Sequence, residues 1–373
     1  MKHQPGVIVC VGTGGVGKTT VSSALGIAAA MKGKRTLVMT IDPAKRLAQS
    51  MGIQSLENTP RPVLLKAIDA GDFPAAGALD AMMLETRTTF NNLIRKHARS
   101  EQKAEAILNN SYYQYVSGEL AGSEDYMAME KLYEIRNEYD YDLIVVDTPP
   151  ARHAINFLTA PNRLIQLISS GVLKWLVRPT AGISMLGLNI LNKAPQKVVK
   201  LLKSYVGLEI VEELTNFFSE FDELYAGFKS RAKEVNALLS SSKVQFYMVT
   251  APMQDTIEDA VYFYSIMKDY DIDFAGFIVN KVHGAVYRDA ALKTRAATIA
   301  GTLDEGEPLR RILEETLDMD TVARHDAELI RYLRTSIRSS KIKYYLLDLM
   351  MDREFTSLST LKELSKSLRG IFE

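Results

Sequence analysis

"GTGGVGKTT", residues 12–20, follows the apolar run "GVIVCV" at 6–11 and leads into residues with helical spacing, Val21, Ala24, Leu25 and Ala28. Gly12, Gly17, Lys18 and Thr19 fit G-x-x-x-x-G-K-[ST]. In such a loop successive backbone N–H groups cradle phosphates, the lysine reaches the β and γ phosphates and the threonine hydroxyl meets Mg²⁺. The β-branched run before it (Val7, Ile8, Val9, Val11) and the helical pattern after it supply the strand-loop-helix context that the motif needs. A glycine-rich turn that binds nothing is the competing reading, and that context weighs against it. The expected phosphate-contacting residues are Gly12, Thr13, Gly14, Gly15, Val16, Gly17, Lys18, Thr19 and Thr20, with Lys18 also catalytic and Thr19 on the metal.

Outward from the loop, short runs rich in β-branched residues recur at 6–12, 36–42, 63–69, 142–147, 244–250, 274–280 and 342–349. They read as strands buried on both faces, as in a parallel sheet. One helix of about 14 residues between the first two makes a compact strand-helix-strand crossover. Residues 73–138 and 160–241 instead carry helical spacing, for example Leu214, Phe217, Phe218, Phe221, Leu224, Tyr225 and Phe228. The expected fold is therefore α/β, a phosphate-loop NTPase with a mainly parallel twisted sheet flanked by helices. Its nucleotide-binding core is 1–72, 139–159, 242–284 and 340–373, with helical insertions at 73–138 and 160–241 and flanking helices at 285–339.

Composition narrows the function. The chain has 373 residues, 47% of them hydrophobic, which is enough for a large core. Lys+Arg and Asp+Glu number 45 each, and nothing gathers the basic residues into a stripe, so nucleic acid is not an expected partner. The one cysteine, Cys10, lies in the first strand pattern, which excludes disulfides and C-x-x-C metal sites within one chain. No signal-peptide pattern precedes that strand and no long uncharged apolar stretch is present, so a cytoplasmic protein without a transmembrane segment is expected.

Three further residues sit where a nucleotide site needs them. "LIVVDTPP" (143–150) ends a buried strand in Asp147, the place of an acidic residue beside Mg²⁺ in phosphate-loop enzymes. Asp42, in "TIDPAKRLAQSMG" (40–52), ends the next strand facing the phosphates, although Asp followed by Pro is also a good helix start. Asn280 closes the run "IVNK" (278–281), where its amide offers a donor and an acceptor to a purine edge or serves as a turn residue.

"GGVGKTT", "TIDPAKRLA", "DTPPARHAINFL" and "VNK" occur in the order and approximate spacing of the arsenite-pump and tail-anchored-protein-targeting ATPases, and the chain resembles that family over nearly its whole length. "ELAGSEDYMAMEKLYE" (119–134) is similar to its bacterial branch, the anion-transporting ATPases. The resemblance implies that Gly14 to Thr20 bind the phosphates of ATP and that Thr19 ligates Mg²⁺. It further implies that Asp42 orients the attacking water, that Asp147 to His153 form a second switch, and that Asn280 contacts adenine. Phosphoryl transfer fits such a set, because its catalysis is mostly positioning and charge stabilisation.

One position departs from the pattern. Family members with a complete signature carry a lysine where this chain has Thr13, and that lysine reaches the phosphates held by the partner subunit. Lys45, Arg46 or Arg152 in cis, or a homodimeric or heterodimeric partner, would have to replace it; otherwise the protein is a slow or regulatory ATPase. Surface charge is the competing reading of those three cations. A single buried cysteine also argues against arsenite capture, which needs several thiolates. Two readings stay open: a cytosolic ATP-driven switch for a hydrophobic client, and an ATPase that controls assembly of a protein complex. The first draws on "GVLKWLVRPTAGISMLGLNILNK" (171–193), with Trp175, Met185, Leu186, Leu188, Ile190 and Leu191, together with Met82 and Met83. Apolar core is the alternative for all of these residues.

Overall fold

A computed structural model describes residues 6–42, 46–65, 74, 77–110, 123–149, 159–160, 162, 166, 227–270, 272–350 and 357–372. The chain divides into two compact units. The first comprises Met1–Leu84, Arg136–Ile155 and Ser240–Glu373, and the second Glu85–Ile135 and Asn156–Leu239.

The first unit is built on an eight-stranded sheet. In chain order its strands are β1 (Gly6–Val11), β2 (Arg35–Thr40), β3 (Arg61–Pro62), β4 (Ala78–Met83), β5 (Leu143–Asp147), β6 (Val244–Thr250), β7 (Phe274–Val282) and β8 (Lys343–Asp348). They lie in the order β3-β4-β2-β5-β1-β6-β7-β8. Every pairing is parallel except β3 with β4. β1 and β5 are near-continuous apolar runs because both of their faces are covered. Helix α1 (Lys18–Met31) buries Val21, Ala24, Leu25, Ile27 and Ala28, and the C-terminal helix Leu358–Ser367 packs against it through Leu361 and Leu364.

This order puts the carboxyl ends of β1, β2, β5 and β7 at one edge, where ligands sit in open parallel sheets. Register makes the placement specific. Asp147 of β5 lies level with Cys10 on β1 and with Thr40 on β2. A buried acidic side chain is thereby held between the strand that feeds the loop and the strand that leads to Asp42.

Two expectations need correction. The run at 63–69 does not supply a strand in its described part, residues 63–65, and residues 66–69 lie outside the described residues. The strand beside β2 is instead β4, inside the stretch expected to be helical from residue 73. Its sequence, ALDAMM, is alanine-rich with a central acid, which lowers its strand propensity. Burial against β2 overrides that preference, and Asp80 accepts a hydrogen bond from the Tyr141 hydroxyl at 2.6 Å. Met82 is consequently fully buried in the sheet and offers no surface to a client, and Met83 is half-buried beside it.

The second unit is helical in its described residues, with Thr86–His97, Glu101–Leu108, most of Ser123–Glu138 and a helix over 227–239. Leu93, Ile94, Ile107, Tyr126, Met127, Phe228 and Ala232 form its core. The buried Glu130 accepts a 2.8 Å bond from Arg231, whose guanidinium lies 4.1 Å from the Tyr133 ring centroid. Of the aromatic stripe read from sequence only Phe228 lies among the described residues, and the apolar segment 171–193 lies outside them.

Back in the first unit, Ala290–Thr302 and Pro308–Ile337 pack together as the flanking helices. The longer one carries two buried acids that hold the chain just after β7. Asp320 accepts from Lys293 Nζ at 3.0 Å, Arg324 Nε at 2.7 Å and the Tyr287 backbone N–H at 3.1 Å. Asp326 accepts from the His283 backbone N–H at 2.8 Å and lies 2.8 Å from its Nδ1. The Arg324 hydrogen bond, with those of Tyr287 and Lys293, holds the Asp320 carboxyl far below the usual carboxylate range. A depressed folded-state pKa contributes stability that is present above the unfolded value near pH 4 and is lost as pH falls below it. Thermal melting from pH 7 to pH 3 should therefore show Asp320→Asn less stable than the parent at neutral pH. The gap should shrink steadily below pH 4; a gap that does not depend on pH would contradict this role.

Candidate functional site

The loop at 12–17 owes its shape to glycines in conformations that other residues avoid. Gly15 has φ +80° and Gly17 φ +92°, both left-handed. Gly12 lies so close to the Val249 carbonyl that a Cβ could not fit there. Gly17 is also the N-cap of α1, and no side chain among the described residues caps that helix end. The first-turn N–H groups thus face outward at the positive end of the helix, the arrangement that binds anions.

Lys18 is buried, and its ammonium donates to the Thr13 carbonyl at 2.9 Å, folded back onto the loop. Burial pulls its pKa down, while Asp147 and Asp42 pull it up. The Thr13 hydroxyl is buried with no hydrogen-bond partner among the described residues.

Beneath the loop, three hydroxyls converge on the Asp147 carboxylate. Thr19 Oγ1 donates to one oxygen at 2.8 Å and Thr40 Oγ1 donates to the same oxygen at 3.1 Å, while Ser22 Oγ reaches the other at 3.5 Å. Burial pushes the Asp147 carboxyl up to about 6, against the pull of the Thr19 and Thr40 hydroxyls and the Lys18 charge. Those hydroxyls and the Lys18 charge offset the burial only in part. The oxygens of Thr19 and Asp147 are the hard donors that Mg²⁺ takes. Among the described residues no group of three or more His, Cys, Asp or Glu forms a metal cage. That suits an ion which binds few protein groups and completes its shell with water and phosphate. The neighbouring Cys10 thiol is fully buried and pushed up to about 12 by that burial, which makes it inert.

Asp42 stands two residues beyond β2. Its backbone N–H donates to Thr40 Oγ1 at 3.2 Å, and its carboxylate lies 3.9 Å from the exposed Arg46 guanidinium. Asn280 is buried at the end of β7, where its Nδ2 donates to the Val16 carbonyl at 2.9 Å. The sequence expected this amide at the base or in a turn; here it ties the sheet to the loop. Pro43 to Lys45, and Pro150 to His153 with Arg152, lie outside the described residues. Sequence reasoning passed over Ser22, Thr40 and Lys281, and placed Thr148 in the second switch without a role of its own. Thr148 donates to the Cys10 carbonyl at 2.8 Å, and Lys281 Nζ donates to the Gly15 carbonyl at 2.8 Å. The available signal was a hydroxyl residue at or just past the carboxyl end of a strand, as at Thr40 and Thr148, or one turn into the helix after the loop, as at Ser22.

A glycine-shaped anion loop, a folded-back lysine and a buried aspartate beneath them, all at the carboxyl edge of a parallel sheet, define a phosphate-loop nucleotide-hydrolase fold. The chain belongs to the anion-transporting ATPase family, whose model matches residues 6–305. It is 26% identical to "ATPase ASNA1 homolog 2" of Paramecium tetraurelia, across 73% of this chain and 74% of that protein. "ATPase ASNA1 homolog 1" of the same organism is 24% identical across 73% of each chain. "ATPase GET3" of Malassezia globosa is 28% identical over 42% of this chain and 43% of its own length. As a member of this family the protein is an ATPase.

Gly17 tests the loop geometry directly. Gly17→Ala places a Cβ against Asn280 Nδ2 in a backbone conformation disfavoured for alanine. Denaturant unfolding should show a loss of about 1–3 kcal/mol, the range for a residue held in a strained conformation. An unchanged midpoint would contradict the described loop.

Proposed function

We propose that the protein hydrolyses ATP with Mg²⁺ at the 12–20 loop and uses the cycle as a cytosolic switch acting on a hydrophobic client or a protein partner. The observation that carries this reading is the convergence of Thr19, Thr40 and Ser22 on Asp147 directly under the loop. The N–H groups of Gly14 to Thr20 hold the phosphates, and the Lys18 ammonium exchanges the Thr13 carbonyl for the terminal phosphates. The Thr19 hydroxyl has an oxygen lone pair to offer a cation once its own proton stays with Asp147. Bound Mg²⁺ would neutralise the charge that develops on the transferred phosphoryl group. Asp42 accepts a hydrogen bond from the attacking water and orients it, and Asn280 presents its carbonyl oxygen and remaining N–H to adenine.

Calorimetry and turnover assays separate these roles. Lys18→Ala should remove most MgATP binding, because the ammonium meets the terminal phosphates. Asp42→Asn should leave affinity within a few-fold while slowing hydrolysis by about 10²-fold or more, since it loses positioning of the water rather than phosphate contact. Unchanged affinity in the first variant, or equal loss of binding and turnover in the second, would overturn the assignment.

A second reading rests on Thr13, a short uncharged side chain where the family signature has a lysine. Either a homodimeric or heterodimeric partner or another basic residue supplies the missing cation, or the protein is a slow ATPase that regulates assembly of a complex. By analogy with arginine fingers, such a cation is worth about 10³–10⁵ in rate. Among the described residues Arg46, 3.9 Å from Asp42, is positioned to contribute. We favour substitution within a homodimer. On that reading Thr13→Lys should be neutral or slower through like-charge repulsion. Turnover measured against protein concentration, with dimerisation followed by light scattering, would contradict it if the variant gained orders of magnitude in rate. The client reading rests on the composition of 171–193, and among the described residues no helix is long and apolar enough to cross a membrane.

A further inference from the structure

Apart from Arg338, which ends the helix Pro308–Ile337 as a left-handed cap, Lys281 is the one non-glycine residue with positive φ among the described residues. At φ +62° it is strained, and nothing in a strand end requires lysine there. Its neighbours impose the conformation. On one side Asn280 is bonded to the Val16 carbonyl. On the other, the Val282 carbonyl accepts from the Leu349 N–H at 2.8 Å, and the His283 N–H is held by the buried Asp326. The β7–β8 register shifts between Val279 and Val282, across this point. The strained turn lets consecutive side chains reach consecutive loop carbonyls, Asn280 to Val16 and Lys281 to Gly15.

Those carbonyls lie between the two left-handed glycines, Gly15 and Gly17. A nest that aims its N–H groups at an anion turns the intervening carbonyls away from it. A donor on the Gly15 carbonyl therefore holds the loop from outside and stays clear of the phosphates. We propose that Lys281 is a positioning residue for nucleotide binding: together with Asn280 it clamps the outer face of the phosphate loop and fixes the Gly15–Val16 peptides in the phosphate-accepting conformation. This rests on the nucleotide reading above and adds a specific residue to it. Because the clamp acts on the loop and not on γ-phosphate or base, it strengthens every ligand that fills the loop to the same degree.

The test compares Lys281→Gly, Lys281→Met and Lys281→Arg in the full chain, with MgATP, MgADP and inorganic tripolyphosphate as calorimetric probes. Glycine relieves the strain while removing the bond, so the ligand-free melting temperature should hold or rise while affinity for all three probes falls about tenfold, the worth of a charged hydrogen bond. Methionine should weaken all three equally, and arginine should recover part of the loss. The loss should appear in KM for ATP, with kcat changing less than twofold, as expected for binding lost equally from ground and transition states. Unchanged affinities would make Lys281 a surface residue and overturn the proposal. So would weakening of ATP alone with a large drop in kcat, which would put Lys281 on the γ-phosphate. Loss confined to the two nucleotides would place it at the base, and a lower melting temperature in the glycine variant would make it merely structural; each contradicts the clamp. Failure of the nucleotide reading itself is distinguishable, because then the unmodified chain does not bind MgATP or Lys18→Ala still does.

Discussion

Asp147 is a carboxylate in a place where water does not reach, and the arrangement around it follows from that. A buried acid is tolerated only with hydrogen-bond partners, and here three hydroxyls from two elements supply them: Thr19 and Ser22 on the first turns of α1, and Thr40 at the end of β2. Those bonds bring the loop helix, β2 and β5 together at one point. The parallel register that sets Asp147 beside Cys10 and Thr40 makes the convergence a property of the sheet rather than of flexible loops. Burial still pushes the carboxyl up to about 6, so the hydroxyls and the Lys18 charge offset that burial only in part. In the function proposed above, the cation that accompanies ATP would complete that balance.

The same economy recurs on the other side of the loop. Lys18 holds the Thr13 carbonyl, Asn280 that of Val16 and Lys281 that of Gly15, so three side chains fix the loop backbone before any ligand arrives. Preorganisation of this kind lowers the ordering cost of binding. Its own cost is visible in the left-handed backbone at Lys281 and in the two buried acids, Asp320 and Asp326, that hold the chain behind it.

Much of this was legible in the sequence, for identifiable reasons. The loop pattern is a constraint on backbone conformation, and glycine meets it at 15 and 17, so spacing together with the strand-loop-helix context pointed to a phosphate loop. β1, β5, β6 and β7 read as strands because burial on both faces demands continuous apolar runs. β4 escaped notice because ALDAMM has the composition of a helix and becomes a strand only through pairing with β2. Thr40 and Ser22 were passed over for a related reason: a hydroxyl at a strand end or one turn into a helix is a weak signal by itself, and its importance appears only when the register sets it opposite a carboxylate. Lys281 was hidden by its own backbone, since nothing in "VNKV" announces a left-handed lysine.

The proposed role of Asp147 is to hold Thr19 in reserve for a cation that arrives with nucleotide. It is tested most directly by a crystal structure of the full chain with Mg²⁺ and a non-hydrolysable ATP analogue. The expected result is phosphates over the N–H groups of Gly14 to Thr20, Thr19 Oγ1 on the metal, and Asp147 retained close by among the metal-bound waters. A nucleotide seated elsewhere, or a metal held without Thr19 while the Thr19–Asp147 bond stays at 2.8 Å, would contradict it.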